Sequence, residues 1–375
     1  MILHVINSYS STKLYKNLVE QVDLLGVPQV VYNPLRGKNK PKNKPEFKIK
    51  KSKIIYSKIL NKYTDRVFYR FKINKIVKDI EKKVDFSTVK LIHAHTWYSD
   101  GGVAYKLAMK YKIPYIIAVR NTDINLFQKY FIHERSFGRE ILLNSSKIIL
   151  ISASYKKKVL GETNLNKITS IIESKTLIIP NGIDDYWLKN IYPKKKELDY
   201  PIKIIYIGKF NNGKNVINLQ KAILHLRDKG IMCSLHLVGG GGSIEKEVLK
   251  MVHKEKDAFF YHGEIFDREK LSKLMRSCDI FAMPSKNETF GLVYIEALSQ
   301  GLPIIYTKNE GIDGFYDNSI GEGVDNTTTF EIIKKLTKVI EGYGSYHFDQ
   351  NLLPKKHDWK NIAKEYHKLY TYLIS

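Results

Sequence analysis

Two glutamates, Glu288 and Glu296, stand eight residues apart in the segment 285–305, SKNETFGLVYIEALSQGLPII, with Phe290 and Gly291 between them. Eight residues is a little over two helical turns. A helix starting near Gly291 leaves Glu288 in the preceding loop and carries Glu296 about one and a half turns in. Both carboxylates can then face a ligand lying across the helix N-terminus. The N–H groups of Phe290, Gly291 and Leu292, with the partial positive charge of that terminus, suit sugar hydroxyls and phosphates. Solvated glutamates on an amphipathic helix are the alternative for the bare spacing. A second segment, IGKFNNGK (207–214), sets Lys209 and Lys214 in a loop opened by Gly208, after an apolar strand, which suits a diphosphate. Gly239, Gly240, Gly241 and Gly242 follow another strand, where missing side chains let a nucleotide approach the backbone; a flexible turn is the alternative.

Two further groups lie in the first half of the chain. His93 and His95 have the spacing of a metal pair on one side of a strand, but no third ligand is evident in the sequence, and a hydrogen-bonded structural role is expected. Arg120 and Asp123 follow an apolar strand, where they pair with one another or face a ligand. No D-x-D sequence and no Walker motif occurs.

The elements that must position these residues alternate. Short apolar strands are expected at 2–6, 89–95, 113–119, 147–151, 176–180, 202–207, 234–238, 258–261, 280–283 and 304–306, the last read as the final strand. Helical patterns separate them, the signature of parallel sheets built from βαβ units. A polar stretch at 184–200 interrupts the rhythm, which then restarts. At 375 residues the chain suits two domains rather than one core. Residues 359–373 form an amphipathic helix with Ile362, Tyr366, Leu369 and Tyr370 on one face. No apolar run reaches bilayer-spanning length, and the first residues read as a strand rather than a signal peptide. The two cysteines, Cys233 and Cys278, sit in apolar runs and are expected to be buried thiols.

The net charge of +24 is uneven: residues 36–83 hold eighteen Lys/Arg against four Asp/Glu, an excess of fourteen. Phe47, Ile49, Ile54, Ile55, Tyr56, Ile59, Leu60, Tyr63, Phe68, Tyr69 and Phe71 are interleaved with them. Such a segment can lie on an anionic membrane or bind nucleic-acid phosphates; an ordinary solvated helix face is the third reading. The KNKPKNKP stretch at 38–45 reads as a loop.

The full string Pro284-Ser285, Glu288, Phe290-Gly291, Glu296-Ala297 and Gly301-Leu302-Pro303 resembles the donor site of retaining, nucleotide-sugar-dependent glycosyltransferases, family 4 (glycosyl transferases group 1). The resemblance covers nearly the whole chain. It implies the α/β GT-B fold, two Rossmann-like domains with parallel sheets facing a cleft. An acceptor-side domain would span 1–183, a donor domain 200–356, and a helix at 357–375 would pack back on the first. The implied reaction moves a hexosyl unit from a nucleoside diphosphate sugar, UDP- or GDP-linked, to a glycan acceptor, with no metal and no cofactor beyond that co-substrate. Lys209 and Lys214 would stabilise the diphosphate. Glu288 and the N–H groups of Phe290, Gly291 and Leu292 would hold the sugar, and Glu296 the ribose hydroxyls. Gly208, Gly239, Gly240 and Ile265 would border the nucleotide.

Four residues at three places depart from the family pattern. Arg120 stands where a histidine is common, which suggests a role at the leaving phosphate, with Asp123 at a sugar or acceptor hydroxyl. Ser10 and Ser11 replace a glycine pair after the first strand, leaving hydroxyls to meet phosphates in less room. Lys209 is a point charge where a forked Arg is usual. The basic segment 36–83 points to an anionic membrane surface and a lipid-linked glycan acceptor rather than nucleic acid, hence to a cytoplasmic enzyme peripheral at the inner face of the membrane. Surface polysaccharide synthesis rests on the resemblance alone. The rival reading is a non-catalytic membrane- or nucleic-acid-binding module on a GT-B scaffold.

Overall fold

The computed structural model describes residues 1–61, 63–195 and 197–375, the side chains of Arg66 and Val67 aside. Lys62 of the basic segment and Lys196 of the polar stretch 184–200 lie outside the described residues. The chain divides into two compact units: 1–151, 156–182 and 359–375 make the first, and 152–155 with 183–358 the second.

The first unit is built on a seven-stranded parallel sheet ordered β3-β2-β1-β4-β5-β6-β7. Its strands are β1 (Ile2–Val5), β2 (Gln29–Arg36), β3 (Lys53–Leu60), β4 (Leu91–Ala94), β5 (Tyr115–Ala118), β6 (Lys147–Leu150) and β7 (Thr176–Ile178). β1, β4 and β5 are buried throughout, as continuous apolar strands of a parallel sheet must be. The helix Trp359–Ile374 closes one face: Ile362, Tyr366, Leu369 and Tyr370 join Ile2, Leu18, Val22, Leu91 and Ile116 in one buried cluster. Each such side chain contributes roughly 1.5–3 kcal/mol by leaving water.

The expectation for the basic segment is corrected in part. β3 makes it the edge of the sheet, and the helix Tyr69–Lys83 buries Ile73, Ile76 and Ile80. Of the interleaved apolar residues, Leu60 and Tyr69 are core; Tyr63, Phe68 and Phe71 remain exposed. Both β2 and β3 escaped the sequence reading. Gln29, Asn33 and Pro34 break the apolar run of β2, and the β2–β3 register shifts between Pro34 and Arg36, where proline can offer no ladder N–H.

The second unit carries a six-stranded parallel sheet ordered β10-β9-β8-β11-β12-β13. The strands are β8 (Ile202–Ile207), β9 (Cys233–Val238), β10 (Phe259–Tyr261), β11 (Ile280–Ala282), β12 (Ile304–Thr307) and β13 (Gly321–Val324). β12 is therefore not the last strand. β13, GEGV, has two glycines and no apolar pattern. A Cβ at Gly321 would fall 2.1 Å from the Ile304 oxygen, so the close pairing itself requires glycine. Cys233 and Cys278 are free and buried. No helix of the described residues is long and apolar enough to cross a membrane.

Candidate functional site

The loops that follow β8, β9, β10 and β11 emerge at one edge of the second sheet, where open α/β sheets bind their ligands. They are knitted together through backbone. Gly208 N–H donates to the Val238 oxygen at 3.0 Å, Gly239 N–H to the Gly263 oxygen at 2.8 Å, and Phe210 N–H to the Gly241 oxygen at 2.9 Å. Gly239 has φ +124°, and a Cβ there would meet the Gly208 oxygen at 2.1 Å; no side chain fits. Gly240 and the half-exposed Ile265 lie on these same loops.

The helix after β11 is Leu292–Ser299, with Gly291 at its N-cap in the left-handed region, φ 76°. Glu288 precedes it and is held at four points. Its N–H donates to Glu310 Oε2 at 2.8 Å, and its carbonyl accepts from Gly311 N–H at 2.9 Å. Its Oε1 accepts from Thr289 N–H at 3.1 Å, and Oε2 pairs with the Lys214 ammonium. Lys214 is placed from the other side. Asn211 Oδ1 accepts the Lys214 N–H at 3.1 Å and caps the turn Asn212–Lys214, while Lys286 N–H donates to the Gly213 oxygen at 2.8 Å. Residues 74 positions apart thus form one ion pair. Lys209 is exposed, and among the described residues its ammonium makes no ion pair; its carbonyl accepts from Tyr206 OH at 2.9 Å.

Glu296 lies in the second turn of that helix, half-buried, with no hydrogen bond or ion pair to its carboxyl among the described residues. Burial pushes it up to about 7, reinforced by Asp184 and opposed by Arg268; these two pair with each other at 2.7 Å. A carboxyl so placed gains its charge most readily when hydroxyl donors arrive.

In the first unit the candidates divide differently. Asp123 does not present its carboxylate to a ligand. It is fully buried, Oδ2 accepting from Trp97 N–H at 3.0 Å and Arg120 N–H at 2.8 Å, and Oδ1 from Tyr98 N–H at 3.0 Å. It organises the loop leading into the helix Ser99–Tyr111. Ser10 Oγ donates to Asn33 Oδ1 at 2.8 Å, while the exposed Ser11 donates its Oγ–H to the Ser8 oxygen at 2.5 Å. Arg120 is half-buried beside Tyr366, and its Nη1 is buried without a partner.

His93 and His95 gain a third neighbour that the sequence did not announce. His4 pairs with His93 in the β1–β4 register, and one nitrogen from each of the three rings lies within 4.8 Å of the others. All three are buried, and burial lowers their basicity, His4 to about 3. They are the described residues that could hold a metal by proximity. The charge field opposes it: no carboxylate belongs to the set, and the Arg120 guanidinium already disfavours positive charge on His93 and His95. The observed bonds, His4 Nδ1 to His95 Nε2 at 3.0 Å and His93 Nδ1 to Tyr370 OH at 2.7 Å, tie β1 and β4 to the C-terminal helix.

Residues 189–366 match the family model of glycosyl transferases group 1. The uncharacterized glycosyltransferase MJ1178 of Methanocaldococcus jannaschii is 27% identical over 312 residues, covering 81% of this chain and 80% of that protein. Sucrose-phosphate synthase from Thermosynechococcus elongatus superimposes with a TM-score of 0.75 at 19% identity, over 99% of this chain and 98% of the other. The lipopolysaccharide outer core galactosyltransferase WaaB gives 0.71 at 13% identity, over 99% and 100%. The fold is therefore GT-B, and the findings support the group 1 glycosyltransferase superfamily. Sequence reasoning missed Glu310 and Asn211 in the second unit. Asn211 was findable, since an Asn three residues ahead of the N–H it accepts is a capping signal. Glu310 carries no spacing cue.

Proposed function

We propose that this protein is a retaining glycosyltransferase that moves a hexosyl unit from a UDP- or GDP-linked sugar to a glycan acceptor without a metal. The observation that carries the reading is the Lys214–Glu288 pair set before the N-terminus of the helix Leu292–Ser299. Lys214, with the exposed Lys209, supplies positive charge for a diphosphate whose charge grows as the sugar departs. Glu288, fixed by Thr289, Glu310 and Gly311, orients sugar hydroxyls together with the N–H groups of Phe290, Gly291 and Leu292. The unpartnered Glu296 accepts from the ribose, and Gly208, Gly239, Gly240 and Ile265 admit the nucleotide. The orphaned Nη1 of Arg120 supports a role toward an anionic group. Retention would follow from attack on the leaving-group face, a donor phosphate oxygen taking the acceptor proton.

The acceptor in this reading is a lipid-linked glycan, a precursor of a surface polysaccharide, and the enzyme works in the cytoplasm at the inner face of the membrane. Nine exposed lysines between Lys38 and Lys58, none with a carboxylate partner among the described residues, support the membrane part. The name of WaaB supports the pathway by analogy. A thermal-shift panel of nucleoside diphosphates and their sugars tests the donor. The right nucleotide at about 100 times its dissociation constant adds about 2.7 kcal/mol. Transfer assays with and without a chelator test the rest: no stabilisation by any nucleotide sinks the reading, and activity abolished by chelation sinks its metal-free form.

A further inference from the structure

We infer that the second unit carries a binding site for a small phosphate monoester, set at the opposite end of its sheet from the loops proposed to hold the donor. Lys203, Arg227, Ser234, His236 and Phe260 line one cavity of about 530 Å³, a size ordinary for small-molecule sites. The sheet itself gathers most of them. Lys203 pairs with Ser234 in the β8–β9 register, and His236 pairs with Phe260 in the β9–β10 register. Register partners in a parallel pair sit side by side, and residues two apart on a strand share a face, so these four side chains form one patch. Lys203 and Ser234 are each the second residue of their strand, whereas Gly208 and Gly239 follow the last residues of the same strands. The extended chain from Lys203 to Gly208 spans roughly 16 Å. The cavity is therefore a site apart from the donor loops.

The donors left open choose the ligand. Arg227, in the last turn of the helix Val216–Asp228, donates from Nη1 to the Cys233 oxygen at 2.8 Å, which fixes its guanidinium at the start of β9. Its Nε and Nη2 make no hydrogen bond among the described residues. The Lys203 ammonium has no ion-pair partner among them either, and the Ser234 hydroxyl, on a residue only 4% exposed, has no hydrogen-bond partner there. Asp257 also borders the cavity, but it is exposed and pairs with neither cation. His236 is pushed down to about 4 by burial first and then by His262 and Lys203, so the ring stays neutral and leaves the positive charge of the cavity to Lys203 and Arg227. A guanidinium fork, an ammonium and a hydroxyl match the several acceptor oxygens of a phosphate. The organic part has a surface to cover. Phe260 is 43% exposed, and its ring centroid lies 5.1 Å from that of His236 at an interplanar angle of 19°. Two nearly parallel rings beside a phosphate subsite suit the flat side of a sugar or a base.

Calorimetric titration of the full chain tests the site, with glucose 6-phosphate, adenosine 5′-monophosphate, inorganic phosphate and glucuronate as probes. At least one of the two esters should bind more tightly than inorganic phosphate, and which one does so tells a sugar from a base. Lys203→Gln should weaken that ester about tenfold or more, the loss expected for a hydrogen bond to a charged group. Phe260→Ser should bring the ester down to the affinity of inorganic phosphate. Both side chains reach solvent, so these variants should fold as the wild type does. Lys229→Gln changes an exposed lysine outside the cavity, controls for a general loss of charge and should bind the ester normally. Lys214→Ala should also bind it normally, which separates this site from the proposed diphosphate site. No binding of either ester overturns the inference and leaves the transfer reading untouched. Binding that Lys214→Ala abolishes and Lys203→Gln spares overturns it too, because the ester then sits in the donor loops. Glucuronate bound as tightly as the better ester refutes the phosphate assignment, and inorganic phosphate bound as tightly refutes the role of the Phe260 ring.

Discussion

At the residue scale, the two glutamates that share one motif do different work because their surroundings differ. Glu288 is paired and pinned; Glu296 is half-buried and unpaired. Glu296 is raised from 4.5 to about 7, so folding binds its proton more tightly than the unfolded chain does. Its contribution to stability is full below about pH 4.5 and is lost as pH rises through about 7. Glu296→Gln should therefore match the wild type near pH 4.5 and exceed it by about 1–2 kcal/mol at pH 8, a discounted figure for a half-buried group. Nucleotide affinity should move oppositely. It should tighten from pH 6 to 8 in the wild type, as ionised Glu296 accepts the ribose hydroxyls, and stay flat in the variant. Calorimetric unfolding and nucleotide titration at both pH values read these out; a wild-type affinity that does not vary with pH contradicts the ribose assignment. For Lys214→Ala, turnover should fall about 10²–10³-fold, while binding of the free nucleoside changes little, because the charge it meets develops on the diphosphate. The double change with Glu288→Ala should be non-additive, since either single change already breaks the pair. Equal losses in nucleoside binding and turnover would place Lys214 outside the leaving-group role.

At the scale of elements, the glycine loops set how closely the second sheet's strand ends approach. Gly239→Ala puts a methyl 2.1 Å from a backbone oxygen at a φ of +124°, and neither can yield cheaply. It should cost about 2–4 kcal/mol and abolish nucleotide binding. Gly230→Ala is the control: φ is also positive, +85°, but nothing lies within 4 Å, so roughly 1 kcal/mol is expected and the site should be untouched. Comparable losses for both would mean that conformational strain, not the close approach, explains Gly239. The same contrast explains what the sequence made legible. β8 was readable to the residue, and β4, β5, β9 and β12 nearly so, because each is a mostly apolar, mostly buried run, interrupted only by single polar residues such as Lys203, Ser234, His236 and His93. The helix Leu292–Ser299 was readable because Gly291 marks its start. β2, β3 and β13 were not: proline, alternating lysines and paired glycines hide strands whose partners come from elsewhere in the chain. At the site, Glu288 and Lys214 could be named but not joined, since their contact spans 74 residues. For Asp123 and Ser10 the sequence left the role open, because a polar residue after a strand looks the same whether it meets a ligand or holds its own loop together; the structure shows both bonded within the first unit.

At the scale of the whole molecule, the excess charge is what carries the membrane proposal. The lysines at 48, 50, 51 and 53 are exposed, and none has a carboxylate partner among the described residues. Their stretch of chain is nevertheless anchored independently of their side chains: the N–H groups of Lys48 and Ile49 donate to Asp23 Oδ2, and Gln29 N–H donates to Ser52 Oγ at 3.1 Å. Changing Lys48, Lys50, Lys51 and Lys53 to Glu should thus keep the fold while lowering the net charge by eight, from the +24 of the native chain. Each basic residue near an anionic leaflet is worth about 1 kcal/mol, so the quadruple variant should lose vesicle binding almost entirely near 0.1 M salt, where the screening length is about 10 Å. Nucleotide-sugar hydrolysis should persist, because the loops proposed to bind the donor belong to the second unit and contain none of these residues. Transfer to an acceptor embedded in vesicles should fall with the binding, whereas transfer to a short water-soluble acceptor should not. Comparing the two acceptors separates recruitment from chemistry. If the quadruple variant still uses the embedded acceptor as well as the wild type, the lysines do not bring enzyme and substrate together, and the excess charge must serve something other than a membrane.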